Sequence, residues 1–319
     1  MNDAARRKPG KVLCAVKDMQ LARWIELLSH RRDVVTPEDD LSDPDIRFAV
    51  VWRPDPGLLA GLKGLEVIFS MGAGVDRLLE DPTIPDLPIV RVVDPSLTSH
   101  MVEFVLWRVL DHHRQGRLYR EQQAARHWRQ HKQWLAREVT VGVMGFGVLG
   151  RAAASRLLQL GFRVAGWSRS GATMEGVTTF GGEDGLPAFL AMTDILVVLL
   201  PLTDATRGII DYDLLRRLRR DGPLGGPVLI NAGRGQLQRE DDIVRALDDG
   251  TLFEASLDVF AVEPLPADSP LWTHPRVFAT PHIAAESDPG DLAPVMLDQM
   301  DAFERGEPLV NVVDRNRGY

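Results

Sequence analysis

The chain has 319 residues, 45% hydrophobic and 26% charged, a balance that excludes a disordered polymer and suits a globular protein with a substantial core. Its net charge of −8 excludes the basic footprint of a nucleic-acid binder. The length suits two domains, and the single cysteine, Cys14, excludes an intrachain disulfide and fits a reducing cytoplasm.

The opening M-N-D-A-A-R-R-K-P-G is polar and lacks the apolar stretch of a signal peptide. The longest apolar run, Ile195 to Leu202, has eight residues including Pro201, far too few to span a bilayer. From Lys11 the pattern alternates. Strands are expected at Val12–Val16, Phe48–Trp52, Leu65–Ser70 and Ile89–Val92, with a weaker one near Val34. A helix carrying Leu21, Trp24, Ile25 and Leu28 on one face lies between the first two. This reads as a small α/β unit, with Trp52 at one strand end and the turn Gly72-Ala73-Gly74 after another.

Pro95 breaks the pattern, and a helix is expected from near Ser99 through Val102, Val105, Leu106, Val109 and Leu110. Its continuation, past His112, His113 and Tyr119 to Trp128 and Trp134, is polar and studded with aromatics. Adjacent histidines cannot share a helix face as a ligand pair would, so both read as surface residues. The aromatic arm is a candidate for a subunit contact.

The stretch Val139 to Ser170 is the most informative. An apolar run to Met144 reads as a buried strand. Gly145, Gly147 and Gly150 follow as G-x-G-x-x-G, then an apolar-faced helix from Arg151 to about Leu160 and a second strand from Arg163 to Trp167. Strand, glycine turn, helix and strand together form a dinucleotide-binding unit. The glycines give a tight turn, close approach of backbone to a pyrophosphate, and close packing of helix on strand. The phosphate rests on unpaired N–H groups at the helix start. Beyond the second strand, where an acid often holds the adenosine ribose, stand Ser168, Arg169 and Ser170; an arginine with two hydroxyls suits a 2′-phosphate.

Four more strands are expected at Ile195–Leu199, Pro227–Ile230, Ala255–Asp258 and Val277–Thr280. Helices are expected around Gly185–Met192, Asp211–Arg220 and Glu240–Asp249. Six alternating strands describe a doubly wound parallel sheet, whose ligands lie beyond the carboxyl ends of the strands. Those ends carry Pro201, then Ala232 and Arg234, then Asp258 and Glu263, then His282. Singly, each has a bland reading as a surface or loop residue. Together, Arg234, Glu263 and His282 supply what reduction of a 2-keto acid requires. The arginine grips a carboxylate bidentately, the histidine delivers a proton to the oxygen, and the carboxylate holds the histidine ring. A last helix is expected from Asp291 to Arg305.

These residues resemble the D-isomer-specific 2-hydroxyacid dehydrogenase family, most closely its glyoxylate/hydroxypyruvate reductase A branch. The matching stretches are M-G-A-G-V-D from Met71, V-G-V-M-G-F-G-V-L-G, W-S-R-S, N-A-G-R-G, L-D-V-F-x-x-E-P-L-P, S-P-L-W-x-H-P-R-V, T-P-H-I-A-A and the terminal G-E-P-x(5)-D-R-x-R-G-Y. The resemblance implies a Rossmann cofactor domain, residues 101–283, inserted into a smaller flavodoxin-like α/β substrate domain formed by residues 1–100 and 284–319. It implies reduction of small 2-keto acids, glyoxylate or hydroxypyruvate, with NADP(H) preferred over NAD(H), by a cytoplasmic homodimer joined through its cofactor domains. Arg234, Glu263 and His282 would be catalytic. The cofactor would meet Gly145, Phe146, Gly147, Val148, Leu149, Gly150, Ser168, Arg169, Ser170, Pro201, Ala232, Arg234, Asp258, His282 and Ala284. The substrate would meet Trp52, Met71, Gly72, Ala73, Gly74, Arg234 and His282. No metal, membrane or nucleic-acid partner is implied.

Rival readings fit less well. Short-chain dehydrogenases need Tyr-x-x-x-Lys, and Tyr119 and Tyr212 are followed at that spacing by Gln123 and Arg216. A zinc dehydrogenase needs more thiols than Cys14. Formate dehydrogenases of the family carry glutamine where Glu263 stands, and long phosphoglycerate dehydrogenases have a regulatory domain for which this chain has no room. Two readings stay open beside the reductase: a nucleotide-sensing, corepressor-like binding protein on the same fold, and a dehydrogenase for another 2-hydroxy acid.

Overall fold

The computed structural model describes residues 8–17, 20–72, 74–91 and 95–315. The chain divides into two compact units, one of Met1–Leu97 with Ser287–Tyr319, the other of Thr98–Glu286.

Unit 1 alternates strands and short helices: β1 (Lys11–Val16), α1 (Leu21–Ser29), β2 (Val34–Val35), β3 (Ile46–Trp52), β4 (Val67–Ser70), α2 (Asp76–Leu79) and β5 (Ile89–Arg91). The sheet order is β2-β1-β3-β4-β5, all parallel, which is the flavodoxin-like winding. Parallel strands are covered on both faces, which is why they are apolar throughout instead of alternating. Val12, Cys14, Phe48 and Val50 point to one face, under Trp24 and Leu28 of α1 and under Leu292, Met296 and Met300 of the C-terminal helix. Leu13, Ala15, Ala49 and Val51 point to the other. Burial pushes the Cys14 thiol up to about 12, so it stays a neutral packing group. Ions seal the edge of this core. Arg32, with a side chain only 1% exposed, pairs with Asp301 and Glu304, and Arg47 bridges Glu66 and Glu304.

Unit 2 begins within α3 (Pro95–His113) and continues through α4 (Gly116–Ala124), β6 (Thr140–Met144), α5 (Val148–Gln159), β7 (Arg163–Ser168), β8 (Thr178–Gly181), α6 (Gly182–Ala191), β9 (Ile195–Val198), α7 (Tyr212–Leu215), β10 (Val228–Asn231), α8 (Glu240–Asp248), β11 (Glu254–Leu257) and β12 (Val277–Ala279). The chain then returns to unit 1 as α9 (Pro289–Glu304). Its parallel sheet runs β12-β11-β10-β9-β6-β7-β8. Strand order reverses between β6 and β9. That is the switch point at which doubly wound sheets bind dinucleotides.

Four sequence expectations change. The sheet has seven strands, not six: β8 is short and only half-buried, so its T-T-F-G lacks the apolar run of its neighbours. Helix α3 starts at Pro95 instead of Ser99, because a proline's missing N–H costs nothing in a first turn. The helix expected over Asp211–Arg220 contracts to the single turn α7, capped by the Asp211 carboxylate on the Leu214 N–H. His112 and His113 are not surface residues but 6% and 5% exposed. His112 lies between Glu254 and Ser256, and His113 packs edge-on against Phe162. Beyond α3 the arm exposes Trp128 completely, while Tyr119 and Trp134 are half-buried.

Candidate active site

The glycine loop follows β6 directly at the switch point. Gly145 has φ +108, and a Cβ there would sit 2.6 Å from the Leu199 carbonyl after β9, so no other residue fits. Gly150 lies so close that its Cβ would meet the Gly145 carbonyl oxygen at 2.2 Å; this draws α5 onto the sheet. Gly147 is different. Nothing lies within 4 Å of its would-be Cβ, and no side chain caps the helix it opens. The first N–H groups of a helix have no partner inside it. Open space before such a terminus fits a pyrophosphate in residue type, shape and charge. Val148 is exposed beside it and Leu149 half-buried.

Phe146 serves the fold: its ring is 1% exposed, it fills the space over Gly166, and its N–H goes to the Trp167 carbonyl at 3.1 Å. At the end of β7, Ser168 shapes the next turn by accepting the Ala172 N–H at 3.0 Å, and Arg169 and Ser170 are exposed. No acidic residue stands in that turn, so nothing there repels a phosphate. Pro201 follows β9, and its carbonyl accepts the Thr206 hydroxyl at 2.8 Å.

At the carboxyl end of β10, the Asn231 amide reaches both the Arg234 carbonyl, at 3.1 Å, and Gln238 Oε1, at 2.8 Å. Gln238 in turn donates to the Val259 carbonyl at 2.9 Å. This buried amide pair ties the Arg234 loop to the loop after β11. Gly235 tightens the union: a Cβ there would lie 1.9 Å from the Phe260 backbone. Arg234 is half-buried, and one of its guanidinium nitrogens donates to the Gly233 carbonyl at 2.8 Å. Ala232 beside it is buried.

The loop after β11 delivers Glu263. One carboxylate oxygen accepts the Phe260 N–H at 3.2 Å, and the other lies 2.9 Å from Nδ1 of His282. The histidine is itself held tightly. It adopts φ +57, a left-handed conformation unusual for a side-chain-bearing residue, and its N–H lies 2.8 Å from the Asp258 carbonyl. The Asp258 side chain, fully buried, accepts the Thr280 hydroxyl at 2.6 Å and the N–H groups of Ile283 and Ala284, both at 2.9 Å. Asp258 thus builds the loop that presents His282, and Ala284 is buried within that loop. Asn231, Gln238 and Thr280 were not singled out in the sequence, where a buried amide or hydroxyl gives no signal of what it will bond.

His282 is exposed and Glu263 mostly buried, 36% and 16% by side chain. With Glu263 accepting the Nδ1 proton, Nε2 is the nitrogen left to work outward. Among the described residues no group of three or more His, Cys, Asp or Glu side chains could hold a metal.

In unit 1, Trp52 ends β3 half-buried, and its indole covers Gly72, whose Cβ would meet the ring at 2.4 Å. Met71 is buried, and the Ser70 hydroxyl reaches the Gly72 carbonyl. Gly74 follows, and Ala73 lies outside the described residues.

The model of the D-isomer specific 2-hydroxyacid dehydrogenase NAD-binding domain matches residues 106–284. The chain belongs to that family. It is an NAD(P)-dependent 2-hydroxyacid dehydrogenase. Glyoxylate/hydroxypyruvate reductase A of Escherichia fergusonii is 38% identical over 278 residues, 85% of this chain and 87% of that protein. The NADPH-dependent glyoxylate/hydroxypyruvate reductase of Sinorhizobium meliloti, crystallised with NADP and sulfate, is 46% identical with a TM-score of 0.93, covering 97% of this chain and 100% of that one. A dehydrogenase of the family from Xanthobacter autotrophicus, crystallised with NADPH and MES, is 38% identical with a TM-score of 0.92, covering 98% and 100%.

Proposed function

We propose that this dehydrogenase reduces glyoxylate and hydroxypyruvate to the corresponding 2-hydroxy acids, with NADPH in preference to NADH. The observation that carries the chemistry is the His282–Glu263 pair, 2.9 Å apart across two loops, with the His282 loop fixed by Asp258. When bound, the nicotinamide supplies the hydride. Every other task falls to the chain. The Arg234 guanidinium holds the keto acid's carboxylate as a planar fork, which also leaves its positive charge near the carbonyl. Protonated His282 gives its Nε2 proton to the carbonyl oxygen, and Glu263 stabilises the ring's orientation throughout. In oxidation of the hydroxy acid the neutral ring takes that proton back. The open helix terminus at Gly147 holds the pyrophosphate, and Arg169 with Ser168 and Ser170 holds the 2′-phosphate.

Further proposed substrate contacts are Trp52, Met71, Gly72, Ala73 and Gly74. Trp52, Met71 and Gly72 stand at carboxyl strand ends, the edge at which such sheets bind ligands. A homodimer joined through the second unit is supported by the exposed Trp107, Leu110, Trp128 and Leu135 of α3 and the following arm. No helix among the described residues is long and apolar enough to cross a membrane, which accords with the proposed cytoplasmic location.

The test is NADPH oxidation with glyoxylate and with hydroxypyruvate, each repeated with NADH. Turnover with both acids and higher kcat/KM for NADPH are expected. Tight NADPH binding without turnover on any 2-keto acid would instead mark a nucleotide sensor.

A further inference from the structure

Arg108 is the largest charged side chain sealed inside unit 2, 1% exposed, and the chemistry above gives it no task. It projects from α3 onto the edge of the sheet. Its Nε donates to the Ser256 hydroxyl at 2.9 Å, and the guanidinium lies 3.8 Å from the centre of the Phe278 ring. Ser256 and Phe278 are direct register partners on β11 and β12. One side chain therefore clasps both strands at a single rung of the ladder. Its Nη2 donates to Asp111 at 3.1 Å.

The position of that rung gives the contact its meaning. Strand β12 is at the sheet edge, three residues long and half-buried, so only β11 pairs with it. Two residues beyond Ser256 and Phe278, immediately past the ends of the same strands, stand Asp258 and Thr280, hydrogen-bonded at 2.6 Å. The His282 N–H then reaches the carbonyls of both, at 2.8 Å from Asp258 and 3.0 Å from Thr280. His112 completes the clasp: its Nδ1 meets Glu254 at 2.5 Å and its Nε2 meets the Ser256 hydroxyl at 2.8 Å. The Ser256 hydroxyl thus sits between Arg108 Nε and His112 Nε2, while His112 Nδ1 faces Glu254. A guanidinium buried in this way is poor value for stability alone, since apolar replacements of buried ions are often neutral or stabilising.

We propose that Arg108, acting through Ser256 and Phe278, is a positioning residue that fixes the edge strand β12 and thereby the placement of His282. The proposal rests on the assignment of His282 as proton donor.

The experiment is a double-mutant cycle in the full-length protein with NADPH and glyoxylate. In the parent background, Arg108→Met lowers kcat by about tenfold or more, as displacements near 1 Å do, and Ser256→Ala lowers it less. NADPH affinity, read by fluorescence titration, stays within about twofold for both, because neither residue belongs to the glycine loop. In the His282→Ala background neither substitution slows the residual single-turnover rate further. A purely structural role would give the same fold-loss in both backgrounds, and that result, or parental kcat in both single variants, overturns the proposal. If Arg108→Met does not fold, Ser256→Ala carries the same cycle. Near-parental turnover in His282→Ala alone would overturn the assignment of the proton donor, and this proposal with it. Slow His282→Ala with additive Arg108 effects overturns only the positioning role.

Discussion

Nδ1 of His282 and Oε2 of Glu263 are 2.9 Å apart, and the other Glu263 oxygen accepts the Phe260 N–H, so the carboxylate is anchored before it orients the ring. His282→Ala is expected to lower kcat by about 10²–10⁴ with NADPH binding retained, the usual share of general acid–base catalysis. Glu263→Gln keeps an acceptor for the ring but removes the charge, and should cost about tenfold less than His282→Ala. Steady-state kinetics of keto-acid reduction check both.

The three glycines of the turn separate folding from binding. Gly147→Ala meets open space, so its melting temperature should match the parent's while its NADPH Kd rises about tenfold or more. Gly150→Ala drives a methyl group into the Gly145 carbonyl and should lose about 1–3 kcal/mol of stability, or more, before any ligand is added. Thermal melts with and without NADPH distinguish the two. Equal melting temperatures for both variants would refute the division.

Arg169 is exposed in the turn after β7, where a ribose-binding acid is absent. A charge-assisted phosphate contact contributes about 1.5–3 kcal/mol, so Arg169→Ala should raise KM for NADPH about tenfold or more and leave KM for NADH nearly unchanged. A parallel rise for both cofactors would show that Arg169 shapes the turn instead of reading the phosphate.

Burial, with the Arg114 charge adding to it, holds the His113 imidazole below the usual histidine range, and its Nδ1 has no hydrogen-bond partner among the described residues. The unfolded chain therefore takes up a proton near pH 6.5 that the folded state refuses. Folding stability should fall as pH drops below about 6.5, until the folded-state value is passed and the loss levels off. His113→Leu removes this contribution. Urea titrations at pH 7.5 and 5.5 should show a smaller acid-induced loss in the variant than in the parent, and identical losses would contradict it.

Trp52 bears on substrate size. The parent should prefer glyoxylate and hydroxypyruvate over phenylpyruvate, and Trp52→Ala should gain relative kcat/KM on the bulkier acid. Because the indole also covers Gly72, the variant's melting temperature belongs in the same experiment. A parent equally efficient on phenylpyruvate and glyoxylate would end the small-pocket reading.

The order of elements, the parallel sheets and the glycine turn after β6 were legible because each rests on local chemistry. The apolar runs of β6, β9 and β10 and the spacing of Gly145, Gly147 and Gly150 carry their meaning without distant neighbours. What the sequence hid depends on distant partners. His112 and His113 look like surface residues until Glu254, 142 positions away from His112, and Phe162 come to meet them. Asp258 stands in a readable motif, yet its hold on Thr280, Ile283 and Ala284 comes from 22 to 26 residues further along. Strand β8 escaped because an edge strand that is half-exposed need not be apolar.

The C-terminal helix α9 lays Leu292, Met296 and Met300 over the sheet face formed by Val12, Cys14, Phe48 and Val50, and its Asp301 and Glu304 neutralise Arg32 and Arg47. On the ribosome these halves are separated by the whole of the second unit. That unit, continuous in sequence, has all its strands before α9 is made and can fold while synthesis is still under way. The N-terminal sheet cannot. It must wait with much of one apolar face exposed and Arg32 without its carboxylate partners, and during that interval it is the segment a chaperone would hold and an aggregate would recruit. Moving α9 to precede β1 by circular permutation would remove the wait, and a higher soluble yield from such a chain would be its signature.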